Sequence, residues 1–529
     1  MKKRIFAPII LSALLLSGCN FLPFGPDKTS GSTQTTNTSG TSGITTDEKA
    51  PTVESVTIKP TSIKLKPGAS STLTATVTGK NNPSTEVTWS SSNTSVVTVN
   101  GGVVTALSTA AANATATITA TSKVDTSKSA SCTVTILDPA ALDDYTLLVY
   151  LCGSTLEYGP EYNSWGYPTG RNVIYGAASG DIDEMLKVSG QPDGVNIVIE
   201  TGGSEQWQNG KIPNNQLGHF TIRNKVLVAD THITNANMAA SKTLEDFLTW
   251  GMGKYPAKKY GLILWNHGGA VHGVCSDENY GGNDMLTTSE VASALKNSLL
   301  AAGADKFEWV GYDACIMSYA DNISVISDYA NYIISAQESE EGDGWAYDAW
   351  LPTLFNNPNG STLTLLEKIC TTFISQYSSG NNDQTLSVID CSKVADFISA
   401  FNSYTSNFTT KSHFETISTA FESTPLNKFG EEVYGLADMI SFLTKMKTQF
   451  SSYSTTELEN ATKAMVAVNK YGTQYSSNKP CGVNVFFAES LDSDYPIQAY
   501  KTDYTTADTK FSSWRSLNIN HSSDWARAS

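Results

Sequence analysis

The chain has 529 residues with 51 Asp+Glu against 35 Lys+Arg, a formal net charge of −16, and only 16% of its residues are charged. This length predicts roughly two to four domains, and the acidic balance argues against a nucleic-acid partner, which would need clustered Lys and Arg. Eight cysteines are too few for a disulfide scaffold, so we expect packing to stabilise the fold.

Residues 1–18 have the pattern of a signal peptide. Basic residues at positions 2–4 precede an apolar run, Ile5–Leu16, which is too short to span a bilayer. The run ends in Leu16-Ser17-Gly18-Cys19, which resembles a bacterial lipobox and implies that Cys19 is diacylated and becomes the mature N-terminus. The alternative is an ordinary signal peptide followed by an incidental cysteine.

Residues 19–52 are predicted to form a flexible tether. From Asp27 to Ala50 the chain consists mostly of Ser, Thr, Gly and Asn and has no aromatic residue, so it cannot bury enough apolar surface to offset the entropy lost on ordering. We therefore expect an exported protein held at the bacterial cell envelope or surface by its N-terminal lipid alone.

Residues 53–138 consist of short, alternating, β-branched runs separated by Pro, Gly and Asn, a pattern that predicts an antiparallel β-sandwich. The segments Trp89–Asn93 and Val97–Ala106 resemble the bacterial immunoglobulin-like domains of group 2. The resemblance implies that Trp89 packs in the core and that a hairpin containing Asn100-Gly101 joins two strands. Adhesion to carbohydrate or matrix, or a role as a spacer, both remain open for this module.

Beyond Asp138 continuous apolar strands alternate with amphipathic segments such as Thr243–Trp250 and Ser289–Ala301. This alternation predicts an α/β fold, a sandwich of helices around a mostly parallel sheet. The predicted buried strands are Tyr145–Leu151, Val195–Glu200, Tyr260–Trp265, Phe307–Tyr312, Tyr332–Ala336 and Gly482–Phe487.

Two of these strands end in residues that can perform catalysis. One runs into Asn266-His267-Gly268-Gly269 and the next into Asp313-Ala314-Cys315. Because parallel strands place their C-terminal loops along one edge, His267 and Cys315 are expected to face each other across a cleft. A cysteine nucleophile needs a base, which a histidine supplies, and the backbone N–H groups of Gly268 and Cys315 are candidates for an oxyanion hole.

The strings LILWNHGGAVHGVCSDE, WVGYDACIMSYAD and SAQESEEGDGWAYDAWL resemble the clostripain family of cysteine peptidases. This resemblance implies a caspase-like α/β/α sandwich over residues 144–519, with Cys315 as nucleophile and His267 as general acid and base. Members of the family typically cleave after Arg or Lys, which carboxylates bind at the base of the S1 pocket, and some respond to calcium.

Asp313, two residues before the nucleophile, is the first S1 candidate, and Asp343 is the second. A guanidinium group is bound best by a carboxylate in a partly dry pocket. The alternatives are that Asp313 caps the helix after Cys315 and that Asp343 belongs to a solvated acidic loop, Glu338–Asp343.

The chain departs from the family in one respect. Many relatives mature by cutting themselves after a basic residue in the loop that follows the catalytic histidine, but there is no Lys or Arg between His267 and Lys296. Three explanations remain open: activity as a single chain, processing at another position, or an S1 pocket that is not specific for basic residues.

Metal binding is the main alternative for the histidine loop. His267, His272 and Cys275 do not match a common zinc spacing, and we predict no metal ligand and no required cofactor. Calcium is a candidate ligand for the carboxylates of Asp277, Glu278 and Asp284, with a solvated acidic loop as the equal alternative.

The sequence thus predicts a monomeric cysteine endopeptidase that acts on proteins or peptides. The competing hypothesis is a surface adhesin built on an inactive peptidase fold. Residues 139–529 carry 44 Asp+Glu and 24 Lys+Arg, whereas residues 1–138 carry 7 and 11. The acidity therefore belongs to the predicted peptidase, as expected for a cleft that attracts basic chains.

Overall fold

The computed structural model describes residues 50–163, 167–280, 284–377, 382–422, 435–487 and 510–525. The predicted signal peptide, Cys19 and the tether up to residue 49 lie outside the described residues. Within the described ranges, none of the helices combines the length and the apolar character needed to cross a membrane.

The N-terminal module is an all-β sandwich, as predicted, but it is not wholly antiparallel, because Ser62–Leu65 pairs in parallel with Ser129–Ile136. Its sheets have the strand orders β2-β9-β8-β5, β3-β7-β6 and β1-β4, and alternate residues of the strands point into a common apolar core. The strands are β1 (Thr52–Lys59), β2 (Ser62–Leu65), β3 (Ser70–Thr72), β4 (Thr74–Lys80), β5 (Val87–Ser91), β6 (Val97–Asn100), β7 (Val103–Ala106), β8 (Thr115–Ser122) and β9 (Ser129–Ile136).

The predicted hairpin joins β6 to β7. Gly101 and Gly102 form its turn with φ angles of +58° and +87°, a conformation that glycine adopts without a steric penalty. Trp89 is half-buried and packs against the core of the module.

The remainder of the chain is an α/β fold around a nine-stranded sheet with the order β15-β14-β13-β10-β16-β19-β20-β21-β23. Its strands are β10 (Asp143–Cys152), β13 (Val195–Gly202), β14 (Gln216–Arg223), β15 (Val226–Thr234), β16 (Ala257–Trp265), β19 (Phe307–Asp313), β20 (Ala330–Ser335), β21 (Thr385–Asp390) and β23 (Val466–Tyr471). Short paired strands outside this sheet are β11 (Tyr158–Tyr162) with β12 (Pro168–Ile174), β17 (Val274–Ser276) with β18 (Met285–Leu286), and β22 (Leu436–Asp438) with β24 (Asn484–Phe486).

The large sheet is mixed. Its five central strands, from β13 to β20 in spatial order, run parallel, whereas the outer strands β14, β15, β21 and β23 are antiparallel to their neighbours. Five of the six predicted strands lie in this sheet. Gly482–Phe487 is the exception, because its extended part forms β24 and pairs with β22 instead.

Helices cover both faces of the sheet, so the molecule has the predicted α/β/α layering. The side chains of β10 alternate between two cores: Leu148 and Tyr150 pack with α3 and α4, while Leu147 and Val149 pack with α2, α6 and α7. The helices are α1 (Ser154–Glu157), α2 (Ala177–Lys187), α3 (Ser241–Lys254), α4 (Thr288–Ala302), α5 (Ala320–Ile326), α6 (Tyr347–Asn356), α7 (Thr362–Gln376), α8 (Val394–Thr405), α9 (Lys411–Glu422), α10 (Met439–Gln449), α11 (Thr456–Met465) and α12 (Ser512–Trp525).

The β-sandwich contacts the α/β part where α4 leads into the start of β19. Gly303 ends α4 in a left-handed conformation (φ +68°), and a Cβ at this position would lie 2.7 Å from the carbonyl carbon of Lys64. Nearby, Lys66 Nζ lies 2.7 Å from Asp305 Oδ2. This contact is at the opposite end of β19 from Asp313.

Candidate active site

The register of two parallel strands brings His267 and Cys315 to one edge of the sheet. In the β16–β19 pair Trp265 lies opposite Asp313, so each candidate residue follows the last paired residue of its strand by two positions. The two loops remain in contact beyond the ends of these strands: a Cβ on Gly268 would overlap the carbonyl oxygen of Cys315 and lie 3.0 Å from its backbone nitrogen. The two loops therefore adjoin at this edge of the sheet.

Cys315 is nearly buried, with 8% of its surface exposed. Its sulfur lies 3.2 Å from the backbone nitrogen of Glu340, which donates to it, and 3.8 Å from the carbonyl oxygen of the same residue. Burial raises the pKa of the thiol and the charge of Glu338 raises it further, while the backbone N–H groups of Glu340, Gly268 and Cys315 lower it. The thiol is therefore neutral at pH 7 without substrate, and needs a base to become a nucleophile.

The N–H groups around the sulfur include the two candidates for the oxyanion hole. Gly268 and Cys315 both direct backbone N–H groups at the thiol. An oxygen that develops negative charge beside the sulfur would lie near both donors.

His267 is half-buried, and its Nε2 lies 3.5 Å from Thr155 Oγ1. Burial lowers the pKa of its imidazole and the charge of Glu278 partly opposes this effect, so the ring is neutral at pH 7 and able to accept a proton. Both residues belong to the described part of the chain, where no hydrogen bond joins His267 to Cys315 directly.

The backbone around both loops is strained. Four residues other than glycine have positive φ angles there: Ser154 (+42°), Ala270 (+50°), Cys275 (+61°) and Ile316 (+52°). Such conformations cost free energy and persist where surrounding contacts fix them. Ile316, for example, is held by a hydrogen bond from its N–H to the Glu338 carbonyl, with a nitrogen–oxygen distance of 3.1 Å.

Asp313 is buried at the end of β19, with 4% of its surface exposed. Its Oδ2 accepts hydrogen bonds from the Trp345 backbone N–H (3.2 Å) and the Tyr347 hydroxyl (2.8 Å). Burial raises the pKa of this carboxyl to about 7. The helix after Cys315, α5, begins only at Ala320, so Asp313 does not cap it.

Two further carboxyl groups, which sequence reasoning missed, adjoin Asp313. Asp181 of α2 is buried and accepts a 2.6 Å hydrogen bond from Trp265 Nε1. Glu340 has both carboxylate oxygens buried; they interact with the Asp313 carboxyl and the Trp345 side chain, and neither makes a well-formed hydrogen bond within the described ranges. Burial, together with the charge of Asp313, raises the pKa of each well above its ordinary value. We call Asp181, Asp313 and Glu340 the buried acid cluster.

Asp343 lies apart from this cluster, exposed on the turn before Gly344. Gly344 itself separates two members of the cluster: a Cβ at this position would lie 2.9 Å from Asp181 Oδ2 and 3.2 Å from the Asp313 carboxylate. Its φ of +58° also favours glycine.

The residues considered as metal ligands have partners within the protein. Cys275 is buried, with its sulfur 3.8 Å from the Trp265 carbonyl oxygen; Asp277 accepts the Met238 N–H at 3.0 Å, and Asp284 accepts Asn237 Nδ2 at 2.6 Å. Across the ranges that the structure describes, no three His, Cys, Asp or Glu side chains are grouped in a way that could hold a metal ion.

The family model of the clostripain family matches residues 166–525, and that of the bacterial Ig-like domain (group 2) matches residues 52–134. A solved structure of an inactive zymogen C11 protease from Parabacteroides distasonis is 18% identical, with 70% of this chain and 98% of that chain covered and a TM-score of 0.49. A secreted C11 cysteine protease from Bacteroides thetaiotaomicron, solved in complex with an irreversible peptide inhibitor, is also 18% identical. The match covers 69% of this chain and 99% of that chain, with a TM-score of 0.47. The search of curated proteins found no match.

Proposed function

Because the chain belongs to the clostripain family of cysteine peptidases, we propose that it hydrolyses peptide bonds after Arg or Lys, with Cys315 as nucleophile and His267 as general acid and base. The observation that carries this proposal is the meeting of the two loops after β16 and β19, where Gly268 packs against the backbone of Cys315.

In the first half of the reaction His267 accepts the thiol proton of Cys315, and the sulfur attacks the scissile carbonyl carbon. The carbonyl oxygen becomes negatively charged and accepts hydrogen bonds from the N–H groups of Gly268 and Cys315. When the C–N bond breaks, His267 returns the proton to the leaving amine. The product of this half is a thioester on Cys315.

In the second half a water molecule attacks the thioester. His267 takes a proton from the water, the oxyanion forms again at the same two N–H groups, and the C–S bond breaks. The sulfur leaves and regains its proton, which restores the starting state. A neutral imidazole is required at the start of both halves, and the lowered pKa of His267 supports this requirement at neutral pH.

The preference for Arg or Lys is proposed from the acidity next to the nucleophile. Asp313 lies two residues before Cys315 and is buried, so a cation there would be paired with little competition from water. Asp343 is exposed and is proposed as an outer carboxylate that attracts basic substrates.

Export, lipid attachment through Cys19 and action as a monomer are also part of this proposal. The sequence of residues 1–19 supports the first two. We propose that no metal is required, with calcium as an optional ligand of the loop carboxylates.

The direct test is hydrolysis of fluorogenic peptides that end in Arg or Lys. Cys315→Ala and His267→Ala should each lower turnover on the order of 10⁴-fold without changing the fold. Cys370→Ala, which removes a buried thiol of α7, is the matched control and should keep its activity. A folded wild-type protein without turnover, with or without calcium, would contradict the proposal and favour the adhesin hypothesis.

A further inference from the structure

Glu340 differs from the other members of the buried acid cluster in its hydrogen bonding. Asp313 accepts two hydrogen bonds and Asp181 accepts one, whereas the buried carboxylate oxygens of Glu340 interact with the Asp313 carboxyl and the Trp345 side chain without a well-formed hydrogen bond to either in the described part of the chain. A buried polar group without a partner costs free energy. A ligand that brought a positive charge and N–H donors to Glu340 would remove that cost.

The backbone of Glu340 lies next to the reacting atom. Its N–H donates to the sulfur of Cys315 and its carbonyl oxygen lies 3.8 Å from the same sulfur. The P1 side chain of a bound substrate begins one atom from the carbonyl that this sulfur attacks. A carboxylate on the residue that touches the nucleophile is therefore close to where a P1 side chain must lie.

The segment that carries Glu340 is fixed from both sides. On one side Gln337 Oε1 accepts the Gly482 N–H (2.5 Å), while its Nε2 donates to Asn484 Oδ1 (2.9 Å) and Asp438 Oδ2 (3.2 Å). On the other side the Glu341 N–H donates to Gln384 Oε1 at 3.2 Å. The carboxylate of Glu340 takes no part in these contacts, so holding the segment does not use it.

We propose that Glu340 is a specificity-determining residue that pairs with the cationic end of a P1 Arg or Lys side chain, alongside Asp313. This inference rests on the proposed function, because it presumes that the enzyme prefers a basic P1 residue. It assigns the inner carboxylate of the acidic segment to recognition and leaves the exposed Asp343 as an outer charge.

The charge of the free site fits this role. Burial raises the pKa of Glu340 well above its ordinary value, and the charge of Asp313 raises it further, so the environment of the free site favours the protonated, uncharged carboxyl. The cation of a P1 side chain favours the ionised form. Binding therefore releases a proton to water, and a protein without substrate avoids a buried, unpaired anion.

The test compares kcat/KM for two peptides that differ only in P1, arginine in one and citrulline, its neutral isostere, in the other. In Glu340→Gln the ratio of arginine to citrulline should fall by about 30-fold or more, while cleavage of the citrulline peptide changes little. Glu341→Gln makes the same chemical change at the next residue and should keep the wild-type ratio.

Thermal unfolding separates recognition from a structural role. Glu340→Gln removes a buried carboxyl that faces the Asp313 carboxyl, and its amide can donate to Asp313, so the variant should melt at the wild-type temperature or above it. If this variant does not fold, Glu340→Asp retains the charge on a shorter side chain and should lower the ratio by reducing its reach.

The outcomes also separate the two proposals. An unchanged ratio in folded Glu340→Gln, or a ratio that collapses in Asp343→Asn instead, would overturn the role of Glu340 and leave the basic specificity intact. A wild-type enzyme that cleaves both peptides equally would contradict the basic specificity itself.

Discussion

Gly268 packs so tightly against Cys315 that a Cβ at position 268 would overlap the Cys315 carbonyl oxygen and lie 2.9 Å from its carbonyl carbon. One glycine thus fixes the separation of the loop that bears His267 from the loop that bears Cys315. It also leaves its own N–H directed at the sulfur. A glycine after His267 is therefore a steric requirement of this approach.

Gly268→Ala is expected to push the two loops apart. The backbone of Cys315 cannot yield as a flexible side chain would, so unfolding free energy should fall by about 1–3 kcal/mol. Because small displacements of catalytic groups are costly, kcat/KM should fall by about 100-fold or more. Thermal melts and turnover of an Arg peptide measure both effects.

Gly253→Ala is the matched control. No atom lies within 4 Å of a Cβ placed there, and the residue belongs to α3, so stability should change by less than about 1 kcal/mol and activity should persist. Full activity in Gly268→Ala would show that the close approach is not required.

The arrangement of the two loops was predictable because it depends on strands. Continuous apolar runs identify the buried strands of β16 and β19, and parallel neighbours end at the same edge. The position of each loop then follows from counting residues past the strand end. No tertiary information beyond the order of the two strands was needed.

The burial of Glu340 and Asp181 could not be predicted in this way. The run from Glu338 to Asp343 contains four carboxylates, and its composition favours a solvated loop. Which of them becomes buried depends on the hydrogen bonds of Gln337, whose partners come from strands and loops about 100–150 residues further along the chain. Asp181 lies on an amphipathic helix, where an acidic residue usually faces water.

The strand prediction for Gly482–Phe487 shows the same limit. A continuous apolar run indicates burial but not the partner strand. The residues are buried as expected, yet β24 pairs with β22 in a separate two-stranded sheet.

Asp313→Asn should lower kcat/KM for a P1 Arg peptide by about 30-fold or more and leave the citrulline peptide almost unaffected. The amide retains an oxygen that can accept the Tyr347 hydroxyl, and repulsion with Asp181 is relieved, so the melting temperature should not fall. Equal cleavage of the Arg peptide by the variant and the wild type would remove Asp313 from the S1 pocket.

Chelation of divalent cations should leave activity within about twofold of the untreated enzyme. Two of the carboxylates considered for calcium already accept hydrogen bonds from the protein, Asp277 from Met238 and Asn279 and Asp284 from Asn237, so these contacts hold them in place without a cation. The measurement is turnover after EGTA and after added calcium. Loss of activity that calcium alone restores would contradict this expectation.

The mature protein should begin at Cys19 and carry two acyl chains on its side chain. Mass spectrometry of the N-terminal peptide from the native host tests this, with Cys19→Ala as the control that should appear in the soluble fraction. A mature N-terminus at another residue, or an unmodified Cys19, would discard lipid anchoring.

The preference for arginine over citrulline should rise with pH from about 5.5 to about 8. Burial raises the pKa of Asp313 to about 7, so this carboxyl is mostly protonated at the acidic end and ionised at the alkaline end. Several titratable groups interact with Asp313 or with its neighbours in the buried acid cluster. They are Glu184, Glu340, Asp343, Tyr347 and Tyr377. All of these are acids, so none supplies a positive charge that would ionise the cluster earlier.

Protonation of Asp313 weakens the preference for arginine, but it stabilises the folded enzyme when no substrate is bound. An unfolded aspartate titrates near pH 3.9, so between about pH 4 and pH 7 the folded protein binds more protons than the unfolded chain. The free energy of unfolding should therefore fall as pH rises through this window and level off above it. In Asp313→Asn this part of the decline should vanish, as melting temperatures measured across the pH range would show. Two results together would contradict this prediction: a ratio of arginine to citrulline cleavage that does not change with pH, and a pH dependence of the melting temperature that is the same in Asp313→Asn and the wild type. They would mean that the Asp313 carboxyl titrates normally and that its burial does not control recognition.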